Sequence, residues 1–191
     1  TETIVVNNID TKKPVVEVNT NGYEKDKWTN KDVILSVTNK TDNLGTTLFG
    51  YSLNGSAWTK FNGNITISES GTHNYKFRAI SESGIVSDEF AITVKVDNVV
   101  PEIKVTGNLT KPTTKVALKI ETTYGLSGAT VTVNSIAYAT DEYEVTENGT
   151  YVFTITNGAG VTATETIVVN NIDTKKPVVE VNTNGYEKDK W

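Results

Sequence analysis

The chain has 191 residues, a mass of 20.8 kDa, a net charge of -5 and a sequence pI near 5.0, with no cysteine and no methionine. Without cysteine there is no disulfide scaffold, thiolate metal site or thiol nucleophile, and mild acidity with scattered Lys gives no electrostatic footprint for a nucleic-acid partner. No stretch reaches the roughly 18 consecutive apolar residues of a membrane span, so direct membrane insertion of this segment is not expected.

In chain order, the apolar stretches are short, alternating and rich in Val, Ile, Thr and aromatics, which is the pattern of strands and not of helices. Residues 1–10, TETIVVNNID, lack the charged and apolar regions of a signal peptide and read as a closing strand of an internal piece. Strands follow at 15–18, 33–38, 48–53, 57–61, 65–67, 74–80 and 89–96. A second set follows at 102–106, 115–122, 130–133, 136–139, 143–145, 150–156 and 164–169. Short strands recurring about every ten residues between Gly and Asn turns predict antiparallel sandwiches.

The sequence repeats itself. Residues 1–28 and 164–191 are identical letter for letter, a period of 164 − 1 = 163 residues. Within that unit, ESGTHNYKFRAI from Glu69 resembles ENGTYVFTIT from Glu147 when two residues are skipped, so the unit reads as two related modules. Each module closes on an alternating strand and the next opens just before a Pro, which places boundaries after residues 10, 98 and 173. The expected organisation is thus 1–10 as the last strand of a preceding module, 11–98 as module one, 99–173 as module two, and 174–191 as the opening strand of the next repeat.

The GTxxYxF strand, the Gly turn, the last strand ending in V-D-N or N-I-D and the Pro that follows resemble tandem bacterial Ig-like domains. FGYSLNGSAWTKFNG from Phe49 gives module one a closer resemblance to chitobiase-type Ig-like modules. The resemblance implies an all-β fold of two tandem Ig-like antiparallel sandwiches, elongated, with flanking strands of neighbouring repeats. It also implies an extracellular place on a bacterial cell surface or cell wall. Such modules serve as spacers, adhesive tips or accessory domains.

Few residues invite chemistry. The Asn54-Gly55 turn suits a two-residue hairpin loop that would pair Tyr51 with Trp58 on one face and place both in the core. The sharper alternative makes Trp58, with Tyr23, Trp28 or Phe61, an exposed platform for a sugar ring. Tyr75 and Tyr151 read as tyrosine-corner residues. His73, the one histidine, has no nucleophile or base assigned by any motif, and Glu69, Glu82, Asp88 and Glu89 read as solvated turn acids; no catalytic residue and no cofactor are expected. Asp10, Asp97 and Asp173 each sit at a module junction, with Glu102 close to the second, and their oxygens are the candidate calcium ligands. Lys76, Lys95, Lys115 and Lys119 fall on solvent-side positions, which disfavours a Lys to Asn cross-link.

The resulting expectation is a repeated structural stalk of a surface adhesin, not an enzyme, with neighbouring repeats of the same chain as partners. The alternatives are repeats that bind a host glycan or protein, or an accessory domain of a secreted glycosidase. Because residues 1–10 equal 164–173 and 174–191 equal 11–28, one molecule's end could replace the native strand in another. Light scattering over a concentration series should then give a mass that rises above the monomer; a monomer at every concentration overturns the exchange.

Overall fold

A computed structural model of the chain describes residues 1–41, 44–61, 63–182, 184, 185, 187 and 189. Tyr186 and Trp191, the second-repeat counterparts of Tyr23 and Trp28, lie outside the described residues.

The fold is all-β, two tandem Ig-like sandwiches built on the same strand order. In module one, β1 (Val16–Asn19), β3 (Val33–Asn39) and β6 (Asn64–Ile67) form one sheet in the order β1-β3-β6. It faces a second sheet ordered β2-β8-β7-β4-β5, made of β2 (Trp28–Thr29), β8 (Phe90–Val96), β7 (Gly71–Ile80), β4 (Leu48–Leu53) and β5 (Thr59–Phe61). In module two, β9 (Glu102–Thr106), β10 (Val116–Thr123) and β13 (Glu142–Val145) pair as β13-β10-β9. Opposite lies β12-β11-β14-β15, formed by β11 (Ala129–Val133), β12 (Ile136–Tyr138), β14 (Gly149–Asn157) and β15 (Thr162–Val169).

Alternation is what closes each sandwich. In β3, Val33, Leu35 and Val37 point inward and meet Phe77 and Val94 of the facing sheet. In β10, Val116, Leu118 and Ile120 do the same against Phe153 and Val169. The two clusters share no residue, so each module owns a core.

The strands pair antiparallel with one exception: β2 runs parallel to β8, with Trp28 opposite Lys95 and Thr29 opposite Val96. After β1 leaves the first sheet, the chain crosses to the second and meets the module's last strand running the same way. Tyr23 pins that crossover, its hydroxyl donating to the Lys27 carbonyl at 2.8 Å and accepting the Lys95 N–H at 3.0 Å. Module two repeats the device as a single parallel bridge between Thr113 and Ile172.

Two expectations are corrected. The modules align without the two-residue skip. Asn54 and Asn74 exchange hydrogen bonds at 2.8 and 2.9 Å just as Asn134 and Val152 do at 2.9 Å, so Tyr75 corresponds to Phe153 and His73 to Tyr151. Tyr151 is a tyrosine corner, donating to the Glu147 carbonyl at 2.9 Å, whereas Tyr75 is buried in the core and stacked on Phe77. The corner of module one is His73, whose Nε2 donates to the Glu69 carbonyl at 2.9 Å, and each ring lies over a glycine, Gly71 or Gly149.

The second correction is the register of the β4–β5 hairpin. Asn54 and Gly55 take φ of +50° and +80°, the two-residue turn expected. Yet Tyr51 pairs with Thr59 and not with Trp58, because one extra residue is accommodated between Ser56 and β5. A one-residue slip moves a side chain to the other face, so Trp58 stands outside the sandwich, over Gly50 and beside Arg78.

Residues 1–10 and 174–182 form no strand, and their apolar side chains are exposed.

Removing either corner bond by Tyr151→Phe or His73→Ala should cost about 1 kcal/mol in urea denaturation followed by circular dichroism. His73→Tyr, which puts the module-two ring into module one, should hold the midpoint. A His73→Tyr loss as large as that of His73→Ala would mean the two corners are not equivalent.

Candidate functional site

The joint between the modules is where the sequence places its candidate ligands, and it is built around one side chain. Asp97 follows β8, and its backbone N–H donates to the Thr29 carbonyl at 2.9 Å, inside module one. Its carboxylate turns the other way. Oδ2 accepts the Ser127 N–H at 2.8 Å and the Ser127 hydroxyl at 2.5 Å, both from the β10–β11 loop of module two, and Oδ1 accepts the Val99 N–H at 3.3 Å. The side chain is 0% exposed. A Cβ on Gly125 would overlap Oδ1, so the loop closes over the carboxylate only because residue 125 is glycine. From the other side, Asn157 Nδ2 donates to the Val99 carbonyl at 3.1 Å and holds the linker to module two.

Burial acts to raise the Asp97 pKa, but the hydrogen bonds from the Ser127 hydroxyl, Ser127 N–H, Val99 N–H and Leu126 N–H outweigh it, and the net direction is down from 3.8.

The same local turn recurs at each junction, four residues before a Pro. Asp10 accepts the Lys12 N–H at 3.0 Å, and Asp173 accepts the Lys175 N–H at 3.0 Å. The Asp173 N–H donates to Thr113 O at 2.8 Å, as Asp97 does to Thr29. Asp10 reaches the Ser83 hydroxyl of module one at 3.2 Å, as Asp97 reaches Ser127 of module two. Asp97 shows both an anchor through its backbone behind and one through its carboxylate ahead; Asp173 shows the first and Asp10 the second.

That chemistry does not fit calcium at Asp97, where N–H and O–H hydrogens converge on the oxygens a cation would need. Glu102 is exposed at the start of β9, opposite Thr123. Among the described residues no group of three or more His, Cys, Asp and Glu side chains gathers as a metal site would require.

The aromatic candidates are not brought together. Tyr23 is committed to the crossover, Trp28 lies on β2 at one edge of its sheet, and Trp58 precedes β5 at the other edge. Arg78 Cζ lies 4.1 Å from the centre of the Trp58 ring. A depression of about 550 Å³ lies in module two between Ile120, Val131 and Tyr138, and Asp141 is the one carboxylate lining it. A single carboxylate supplies no acid and base pair. Lys76 and Lys115 are exposed and paired with Glu89 and Glu144 at 2.9 and 2.6 Å.

Gly125, Ser127, Thr29 and Asn157 were not legible as joint residues. The Asp-x-x-x-Pro spacing marks the linker, but nothing in YGLSG announces which carboxylate it encloses.

No protein-family model matches the chain, and no curated protein matches it. Among solved structures it is similar to fibronectin(III)-like modules of Clostridium thermocellum CbhA, at 16% identity and a TM-score of 0.37, covering 87% of this chain and 100% of that one. It is also similar to a C-terminal 282-residue fragment of intimin, solved with the intimin-binding domain of its translocated receptor. That likeness has 12% identity and a TM-score of 0.48 over 85% of this chain and 64% of the fragment. The D00-D0 domain of intimin matches at 8% identity and a TM-score of 0.37, covering 82% of this chain and 100% of that chain. At TM-scores below 0.5 these likenesses carry no functional argument, and the sandwich assignment stands on the strand order and register.

Asp97→Ala strands the Ser127 N–H and hydroxyl and should cost about 2 to 3 kcal/mol, with Gly125→Ala comparably harmful, whereas Asp10→Ala, at a half-buried position, should cost less. Because the folded pKa of Asp97 lies below its ordinary 3.8, its contribution is complete above that value and is lost as pH falls through the lower, folded one. Urea midpoints measured from pH 6 down to about 2.5 should therefore converge for wild type and Asp97→Asn only at the acid end. A constant gap across that range would show that the charge is irrelevant.

Proposed function

We propose that this chain is a segment of a repeated stalk, in which pairs of Ig-like modules hold a binding domain away from a bacterial surface. The observation that carries the reading is the joint. Asp10, Asp97 and Asp173 make the same turn with the residue two ahead, so every linker opens in the same way, as suits a chain built by repeating the 163-residue unit.

The surface area supports an extended arrangement. The chain exposes 13215 Å², against about 8,900 Å² for one compact globule of its mass, and part of the excess comes from the unpaired terminal segments. The linker has no Gly/Ser tether, and Asp97 and Asn157 fix it to module two, so the joint is semi-rigid. An extracellular location and an adhesin as the parent protein belong to the same reading. No helix among the described residues is long and apolar enough to cross a membrane.

Small-angle scattering on chains of one, two and three units tests it. The maximum dimension should grow by roughly 70 to 90 Å per unit, given strands of nine or ten residues at about 3.3 Å each, and should be the same with calcium or chelator. A particle that thickens without lengthening overturns the stalk. A chelator-dependent collapse would instead return the junction aspartates to the role of ligands.

A further inference from the structure

The two modules share one topology, so features present in one alone are not demanded by the fold. The hairpin register is such a feature. In module two, Asn134 and Ser135 make the two-residue turn and Val131 pairs with Tyr138 directly, which puts the Tyr138 ring against the core. Trp58 stands at the matching place in module one, but the extra residue before β5 turns it out onto the opposite face. Bulges that re-aim a single side chain are typical of functional positions.

What Trp58 meets there is Arg78, the chain's one arginine. The guanidinium makes no hydrogen bond or ion pair among the described residues, and its Nε is buried with no partner. Its counterpart in the aligned strand of module two is Thr156. On the same face, Lys60 lies opposite Gly50, which lies opposite Arg78, and Lys60 makes no ion pair among the described residues; Lys76 is held by Glu89 at 2.9 Å. In a chain of net charge -5, this is a local cluster of cations with an indole set among them. The guanidinium carbon sits over the indole, Nε is buried, and the terminal N–H groups make no bond to a described residue; a guanidinium so placed can still take a carboxylate through its two terminal nitrogens.

We propose that this outer face of module one binds an acidic sugar, with Arg78 holding the carboxylate of a uronic-acid residue, Lys60 adding charge and the exposed part of Trp58 packing on the ring. The proposal stands independently of the stalk reading, since a spacer and a separate lectin-like surface are equally compatible with it.

The test uses the whole chain in native affinity electrophoresis with polygalacturonate in the gel, with dextran as the neutral polymer and dextran sulfate as the polyanion lacking carboxylates. Wild type should be retarded by polygalacturonate and not by dextran. Arg78→Gln, Arg78→Lys and Trp58→Ala should each weaken binding about tenfold, as expected for loss of a charge-assisted pair or its support. Lys119→Gln, which removes an exposed charge from module two, should leave it unchanged. Arg78→Thr, carrying the residue of module two, guards against misfolding and should lose binding with its circular dichroism intact. No retardation of wild type, equal behaviour of Arg78→Gln and Lys119→Gln, or equal retardation by dextran sulfate that survives Trp58→Ala each overturns the site.

Discussion

A strand exists in this protein only where an edge is available to pair with it, and the chain holds its own control for that constraint. TETIVV at 164–169 lies in β15, bonded along β14, with Val169 1% exposed; the same six letters at 1–6 form no strand, and Ile4 is 84% exposed. VVEVN at 15–19 supplies β1 on β3, and at 178–182 it pairs with no strand among the described residues. Sequence, propensity and alternation are identical in each comparison, so the difference is the partner. Backbone N–H and C=O groups that water already satisfies gain little from an extended conformation unless a ladder and an apolar face come with it.

The same accounting explains the joint. Taking a carboxylate fully out of water is costly, and it persists at Asp97 because three N–H groups and a hydroxyl replace the water. Those donors belong to module two and the linker, while the aspartate's own N–H is spent on Thr29 of module one. Neither module can satisfy the residue alone. The angle between modules is therefore tied to a hydrogen-bond set with few alternatives, where a plain hydrophobic contact would permit sliding.

The elements were read from sequence nearly to the residue because alternation is local: 48–53 and 102–106 match β4 and β9 in full. The misses lie where something other than alternation decides. β2 is two residues long and exists because β8 lies beside it in parallel, which no local pattern encodes. Trp58 was placed in the core by counting from a correctly identified turn, and the count fails by the one residue that the hairpin absorbs. His73 looked idle because imidazole is not the expected corner ring, although the Glu-x-Gly-Thr frame around it matches that around Tyr151. At the joint, the three aspartates were legible by their spacing to Pro, but what they hold was not. At Asp97 alone, donors from Ser127 and Val99 occupy the oxygens that a cation would use.

The two modules also differ in how they can receive the aspartate that precedes them. In module two the β10–β11 loop leaves room at Gly125, and the linker's Asp97 fills it. In module one the matching loop carries Gly45, but the space over it is taken by the module's own Glu82, whose Oε2 accepts the Thr46 N–H at 2.9 Å. Asp10 accepts the Ser83 hydroxyl at 3.2 Å from a half-buried position. An acid supplied by the module satisfies the loop whether or not a neighbour is docked, whereas an acid supplied by the linker satisfies it only when the joint is made. Module two is the one whose loop takes its acid from the linker, so closing that loop and setting the joint are one event.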